Sequence, residues 1–150
     1  MSVKEKLSAL GLTLPTAAAP VAAYVPAVKS GNLVFTAGQL PVIDGKLVKE
    51  GKVGREVTAE DAKELAQICA LNALAAISLV TDLDQVERVV KVGGFVNCAP
   101  GFIAIPGVVN GTSELLIKIF GDVNGKHART AVGVAAVSYT HLTLPTKRIV

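Results

Sequence analysis

The run from Thr58 to Val80 constrains the fold more than any other stretch of the chain. Apolar residues fall at Ala62, Leu65, Ala66, Cys69, Ala73, Ala76, Ile77 and Val80, while Glu60, Lys63, Glu64 and Gln67 take polar positions between them. That i, i+3, i+4, i+7 recurrence predicts a long amphipathic helix opened by Thr58, with one buried stripe and the charged face toward water. Such a helix has to bury its stripe against a second layer. Its many alanines permit close approach to a sheet, so strands are expected on either side.

Upstream, Tyr24 to Lys29 and Leu33 to Ala37 flank Gly31-Asn32, a hairpin signal in which Pro26 puts the first strand at an edge or a bulge. Gly38 to Gly54 is a string of turn residues around one short strand at Lys46 to Val48. Downstream, Asp82 to Asp84 ends the helix. Val86 to Asn97 reads as a strand with Val90, Val92 and Val96 on one face by period two. Pro100-Gly101 and Pro106-Gly107 punctuate a loop, Val108 to Phe120 carries Val109, Leu116 and Phe120 along one helical side, and Gly121 stops it. A polar turn at Asp122 to Lys126 leads to a small, β-branched strand at Thr130 to Val137. At the other end, Ser2-Val3-Lys4-Glu5 has capping-box spacing for a short helix over Val3 to Leu10 with Gly11 as its stop, and Thr13 to Ala23 is an extended lead-in. The order βββ, helix, β, helix, β predicts an α+β fold with two main helices on one face of a mixed sheet.

With 150 residues, 51% hydrophobic and 18% charged, the chain is expected to form one globular domain. The net charge of +3 owes two of its 15 basic residues to Lys147 and Arg148, against 12 acidic ones, so the body is near neutral. A near-neutral body with 4% aromatic residues and no Trp argues against nucleic acid as a partner. No segment approaches the roughly 20 apolar residues of a membrane span, and the expected location is cytoplasmic. Cys69 and Cys98, the only cysteines, suit a reducing compartment and lack the spacing of a zinc site. Ser138 to Thr146, reading Ser-Tyr-Thr-His-Leu-Thr-Leu-Pro-Thr, looks like a translated sequencing adaptor. The domain is therefore expected over residues 1–137, with a non-native tail at 138–150.

Familiar catalytic motifs are missing from the sequence. No phosphate-binding glycine loop, dinucleotide fingerprint or serine-hydrolase elbow occurs, and His127 and His141 are the only histidines, which makes a histidine metal site improbable. Arg129, one of four arginines, stands just before the last strand. A guanidinium there offers a planar fork for a substrate carboxylate, or an ion pair with Glu114 or Asp122. Tyr24 is either a half-buried strand residue or a hydroxyl lining a cleft, and Asn110 a local cap or surface amide. Cys98 reads as a buried thiol.

Together, in their order and surroundings, these residues resemble the reactive-intermediate deaminase (RidA) family, also called YjgF or endoribonuclease L-PSP. The resemblance covers about Pro20 to Val137. It is carried by Tyr24-Val25-Pro26, by Gly31-Asn32-Leu33-Val34-Phe35-Thr36-Ala37-Gly38-Gln39-Leu40-Pro41, by Asn72 in the Thr58 helix, and by Val89 to Asn97. Val109-Asn110-Gly111 and His127-Ala128-Arg129-Thr130-Ala131-Val132-Gly133-Val134 complete it, and Gly51-Lys52-Val53-Gly54 marks a divergent branch. It implies a chorismate-mutase-like fold, a homotrimer with a central barrel, and ligand sites in clefts between subunits. The implied activity is cofactor-independent hydrolysis of small enamines or imines, such as 2-aminoacrylate and 2-iminobutanoate, to 2-oxo acids and ammonia. Arg129 would grip the carboxylate, Tyr24 would line the same cleft, and Asn110 would add an amide; no metal is implied. The alternative is a non-catalytic trimer that binds 2-oxo acids, and the older ribonuclease label fits the charge poorly. Two departures stand out. The water-orienting glutamate of archetypal members has no counterpart, since no Asp or Glu follows Asp122, and the cysteine often found two residues after the arginine is Ala131.

Overall fold

The computed structural model describes residues 1–19 and 23–137. Ser2 caps α1 (Val3–Ala9): its hydroxyl accepts from the Glu5 amide while the Glu5 carboxylate accepts from the Ser2 amide, the predicted reciprocal pair. β1 (Ala27–Ser30) and β2 (Leu33–Thr36) form the expected antiparallel hairpin, with Gly31 at φ +57° opening its two-residue turn. β1 begins after Pro26 and not at Tyr24, because proline has no amide proton to give a ladder. Asp44 and Gly45, both at positive φ, make a turn of the kind that matches strand twist, so β4 (Lys46–Leu47) pairs with β3 (Val42–Ile43), a strand that the turn-rich composition had concealed.

Thr58 caps α2 (Ala59–Ile77) by accepting from the Asp61 amide. The helix buries Ala62, Ala70, Leu71, Leu74, Ala75 and Ala76, so its second half turns a different arc inward from the expected stripe. The cause is its double contact: α2 packs along α3 and also touches β2 and β3. α2 gives way to a short 3-10 turn at Leu83–Gln85, and β5 (Lys91–Asn97) is shorter than the Val86 to Asn97 run. α3 (Ile105–Asn124) starts three residues earlier than expected, since Pro106 occupies the first helical turn, where its missing amide costs nothing. Gly121, at φ 88°, breaks the helical path where the stop was expected, and a last short turn follows.

β6 (Ala128–Val134) lies parallel to β5, with Val92 opposite Arg129 and Phe95 opposite Val132. Two apolar clusters fill the space beneath the helices. One joins α1, α2 and α3 through Leu7, Leu74, Leu115 and Ile119, all essentially inaccessible; the other joins Val57, Ala62, Val96, Val108 and Val109. Two glycines set the spacing between layers. A Cβ on Gly111 would overlap the Lys63 carbonyl oxygen of α2, and one on Gly94 would meet Val109 Cγ2 at 2.5 Å. These close approaches draw α3 against both α2 and β5, and so fix where Asn110 stands.

The side of the strands facing away from the helices is open. Val28, Phe35 and Phe95 are exposed, Phe95 to 64%. The tail at 138–150 lies outside the described residues.

Candidate functional site

Two periodicities meet where β6 crosses α3. His127, Arg129 and Ala131 fall on one side of the strand by period two, while Asn110 and Ser113 lie one turn apart on the helix. Two residues of strand advance about 6.7 Å and three of helix about 4.5 Å, so the pairs come together at neighbouring heights. Arg129 Nη1 donates to Asn110 Oδ1 at 2.7 Å and to Ser113 Oγ at 3.2 Å. Ser113 Oγ also lies 3.0 Å from His127 Nε2, and His127 Nδ1 lies 2.6 Å from the Gly125 carbonyl oxygen. All four side chains belong to half-buried residues.

The carboxylates that could have quenched Arg129 are engaged elsewhere. Glu114 pairs with Lys63 and Asp122 with Lys126, each at 2.8 Å. Among the described residues, Arg129 meets only neutral acceptors, and both use Nη1. A guanidinium carries five N–H donors, so Nε and both protons of Nη2 are left for an incoming group. That edge has the fork geometry that takes a carboxylate through two parallel hydrogen bonds. Arg129 lies inside β6 and not ahead of it, which holds its backbone in the ladder with β5.

Arg129 and Asn110 are thus brought together. Tyr24 is not joined to them by any hydrogen bond among the described residues; it is 43% exposed ahead of β1. Cys98 follows β5 and is half-buried, not fully buried as expected, with its sulfur 2.7 Å from where a Gly133 Cβ would stand. Ser113 and His127 were passed over as site residues. Their spacing, with His127 two before Arg129 on a strand and Ser113 three after Asn110 on a helix, becomes a signal only once α3 and β6 are set side by side. No cluster of three or more potential metal ligands occurs among the described residues, and no helix there is long and apolar enough to cross a membrane.

Two further asparagines tie loops to the framework away from Arg129. Asn97, buried at the end of β5, accepts from Lys52 Nζ at 2.8 Å and donates to the Gly51 carbonyl at 3.2 Å, which pins the 51–57 loop. Asn72 on α2 donates to the carbonyls of Leu40 and Val42 at 2.9 and 3.0 Å, anchoring the start of the β3–β4 hairpin. A groove of about 110 Å³ between Lys63, Gln67, Glu114 and Lys118 lies on a different side of α3, with Lys63 and Glu114 paired across it.

The described residues form an α+β domain whose β5–α3–β6 unit pairs its strands in parallel and sets Arg129 against α3. Residues 4–145 match the family described as "YjgF/chorismate mutase-like, putative endoribonuclease", and the chain belongs to that family. Protein TCP17 of Trypanosoma cruzi is 41% identical over 138 residues, spanning 91% of this chain and 86% of that protein. The crystal structure of Atu1372 from Agrobacterium tumefaciens, a protein of unknown function, is 40% identical with a TM-score of 0.83, over 93% of this chain and 85% of its own. A structure from Shewanella oneidensis MR-1, described as a putative endoribonuclease, is 29% identical with a TM-score of 0.86 over 91% of each chain.

Proposed function

We propose that the protein binds a small 2-imino acid through Arg129 and hydrolyses its C=N bond, releasing the 2-oxo acid and ammonia. The observation that carries this reading is the state of the guanidinium: held by neutral partners, with Nε and Nη2 unclaimed among the described residues. An arginine fixed in that way attracts a carboxylate and holds the adjacent carbon in one orientation, which lowers the entropic part of the barrier. Asn110 serves by fixing the guanidinium plane. Family membership supports the reading, and a near-neutral body makes RNA the weaker substrate class.

The proposed assembly is a homotrimer. The open strand face with Phe35 and Phe95 supports it, because exposed apolar side chains of this size are commonly covered by a partner. In that assembly Tyr24 would reach the Arg129 cleft of a neighbouring copy. Light scattering after gel filtration checks the mass, and three monomer masses are expected.

The functional test is the rate of loss of 2-iminobutanoate, generated in situ, with wild type and Arg129→Ala. Rapid loss with wild type and none above background with the variant is expected; equal rates overturn the role of Arg129. Binding of 2-oxobutanoate by wild type without any acceleration of imine loss would instead establish the non-catalytic binding protein.

A further inference from the structure

We infer that Ser113 and His127 form a proton relay opening onto the Arg129 cleft, an inference that rests on the proposed imine hydrolysis. The Gly125 carbonyl can only accept, so the contact at 2.6 Å places a proton on His127 Nδ1. In the neutral ring Nε2 is then an acceptor, and the Ser113 hydroxyl at 3.0 Å donates to it. Arg129 Nη1 donates to one lone pair of the same oxygen. A hydroxyl has one proton and two lone pairs, so Ser113 Oγ keeps one acceptor site, beside the guanidinium that would hold the substrate. A water bound there is aligned with a base one hydroxyl away, an arrangement in which the base is oriented by a third group. The charged group facing the pair is Arg129; Lys126, next to His127 in the chain, is turned to Asp122 at 2.8 Å.

The relay also answers a need of the reaction. Adding water to an iminium carbon releases a proton that some base must take, and His127 stands one hydroxyl away. As the water oxygen bonds to carbon, its proton passes to Ser113 Oγ, the serine proton passes to Nε2, and the C=N π pair moves onto nitrogen. The imidazolium returns that proton through Ser113 to the amine of the resulting carbinolamine. The C–N bond then breaks with its pair on nitrogen, the carbonyl forms, and the hydroxyl proton leaves with ammonia as ammonium. The imidazole ends as it began.

The test compares kcat and KM for 2-iminobutanoate, generated in situ, among wild type, Arg129→Ala, Ser113→Ala, His127→Ala, His127→Asn and the Ser113→Ala/His127→Ala double variant. Loss of a positioned acid-base group lowers kcat by about 10²-fold, and each single relay variant is expected to do so with KM within about twofold of wild type. The double variant is expected to be no slower than either single one. Added imidazole should restore rate to His127→Ala and not to Ser113→Ala. His127→Asn, whose amide can still donate to Gly125, should stay as slow as His127→Ala; full activity in that variant would show that only the backbone contact matters and would overturn the relay. Wild-type kcat in Ser113→Ala and His127→Ala, with Arg129→Ala inactive, overturns the relay and leaves the imine hydrolysis standing. A wild type that does not hydrolyse the imine removes both.

Discussion

Arg129 Nη1 meets Asn110 Oδ1 at 2.7 Å, a bond between strand and helix that orients the guanidinium and leaves its charge intact. Replacing the amide by an isosteric carboxylate changes the second property alone. Asn110→Asp is expected to hold Arg129 at least as firmly through a charge-assisted bond, and to weaken binding of 2-oxobutanoate by about 10-fold or more, as the anion would face a neutralised pair. Calorimetric titration beside a thermal melt checks both halves: weaker binding, undiminished melting temperature.

Gly111 tests how tightly the two long helices are drawn together. Inside a helix, glycine to alanine gains up to about 1 kcal/mol from backbone propensity. Here the new methyl would overlap the Lys63 carbonyl, and forcing extra volume into a packed contact costs about 1–3 kcal/mol. The steric cost is larger, so Gly111→Ala is expected to lower the melting temperature by several degrees. A rise would refute the close approach of α2 and α3.

Asn72→Ala removes both donors to the Leu40 and Val42 carbonyls. Each lost bond costs about 1 kcal/mol, so a destabilisation of about 1–2 kcal/mol is expected in denaturant unfolding, with amide exchange faster over residues 40–48. Unchanged exchange there would mean that the hairpin does not need this anchor.

Much of this architecture was legible in the sequence, and the failures share a cause. Thr58, the Ser2–Glu5 box and Gly31-Asn32 act locally, so cap and turn chemistry located them. The buried arc of α2 was misjudged after Ala66 because two different neighbours, α3 and the β2–β3 region, claim that helix, and periodicity assumes one. Pro106 reads as loop punctuation in the sequence, yet it sits in the first turn of α3. In the site, Arg129 was found from its chemistry and Asn110 from a resemblance; Ser113 escaped because a lone serine in a helix carries no signal until its partner on β6 is placed opposite.

The capping box makes α1 sensitive to acid. The Ser2 amide, followed by its hydroxyl, holds the Glu5 carboxyl below its usual 4.5. A depressed carboxylate contributes its stabilisation fully above the unfolded value and loses it as pH falls through the folded one. Amide exchange at Glu5 is therefore expected to be flat above pH 4.5, after correction for the intrinsic rate, and protection should fall below it. Glu5→Gln should abolish that step.

Cys69 should be chemically silent in the folded protein. Burial pushes its thiol up to about 12, so almost none is thiolate near neutrality, and thiolate is the reactive form. Alkylation at pH 8 followed by mass mapping is expected to leave Cys69 unmodified until denaturant is added. Labelling of Cys69 in the native protein would contradict its burial.

The parallel pairing of β5 with β6 has a consequence for how the arginine pocket assembles. Asn110, Ser113, His127 and Arg129 all lie within the segment that leaves β5, runs through α3 and returns as β6. The polar ring closes over a chain separation of 19 residues at most, a short loop with a small entropic penalty. Its formation is therefore expected early in folding, without waiting for the 27–36 hairpin, and the pocket behaves as a self-contained cassette whose side chains can diverge while the rest of the domain keeps its shape.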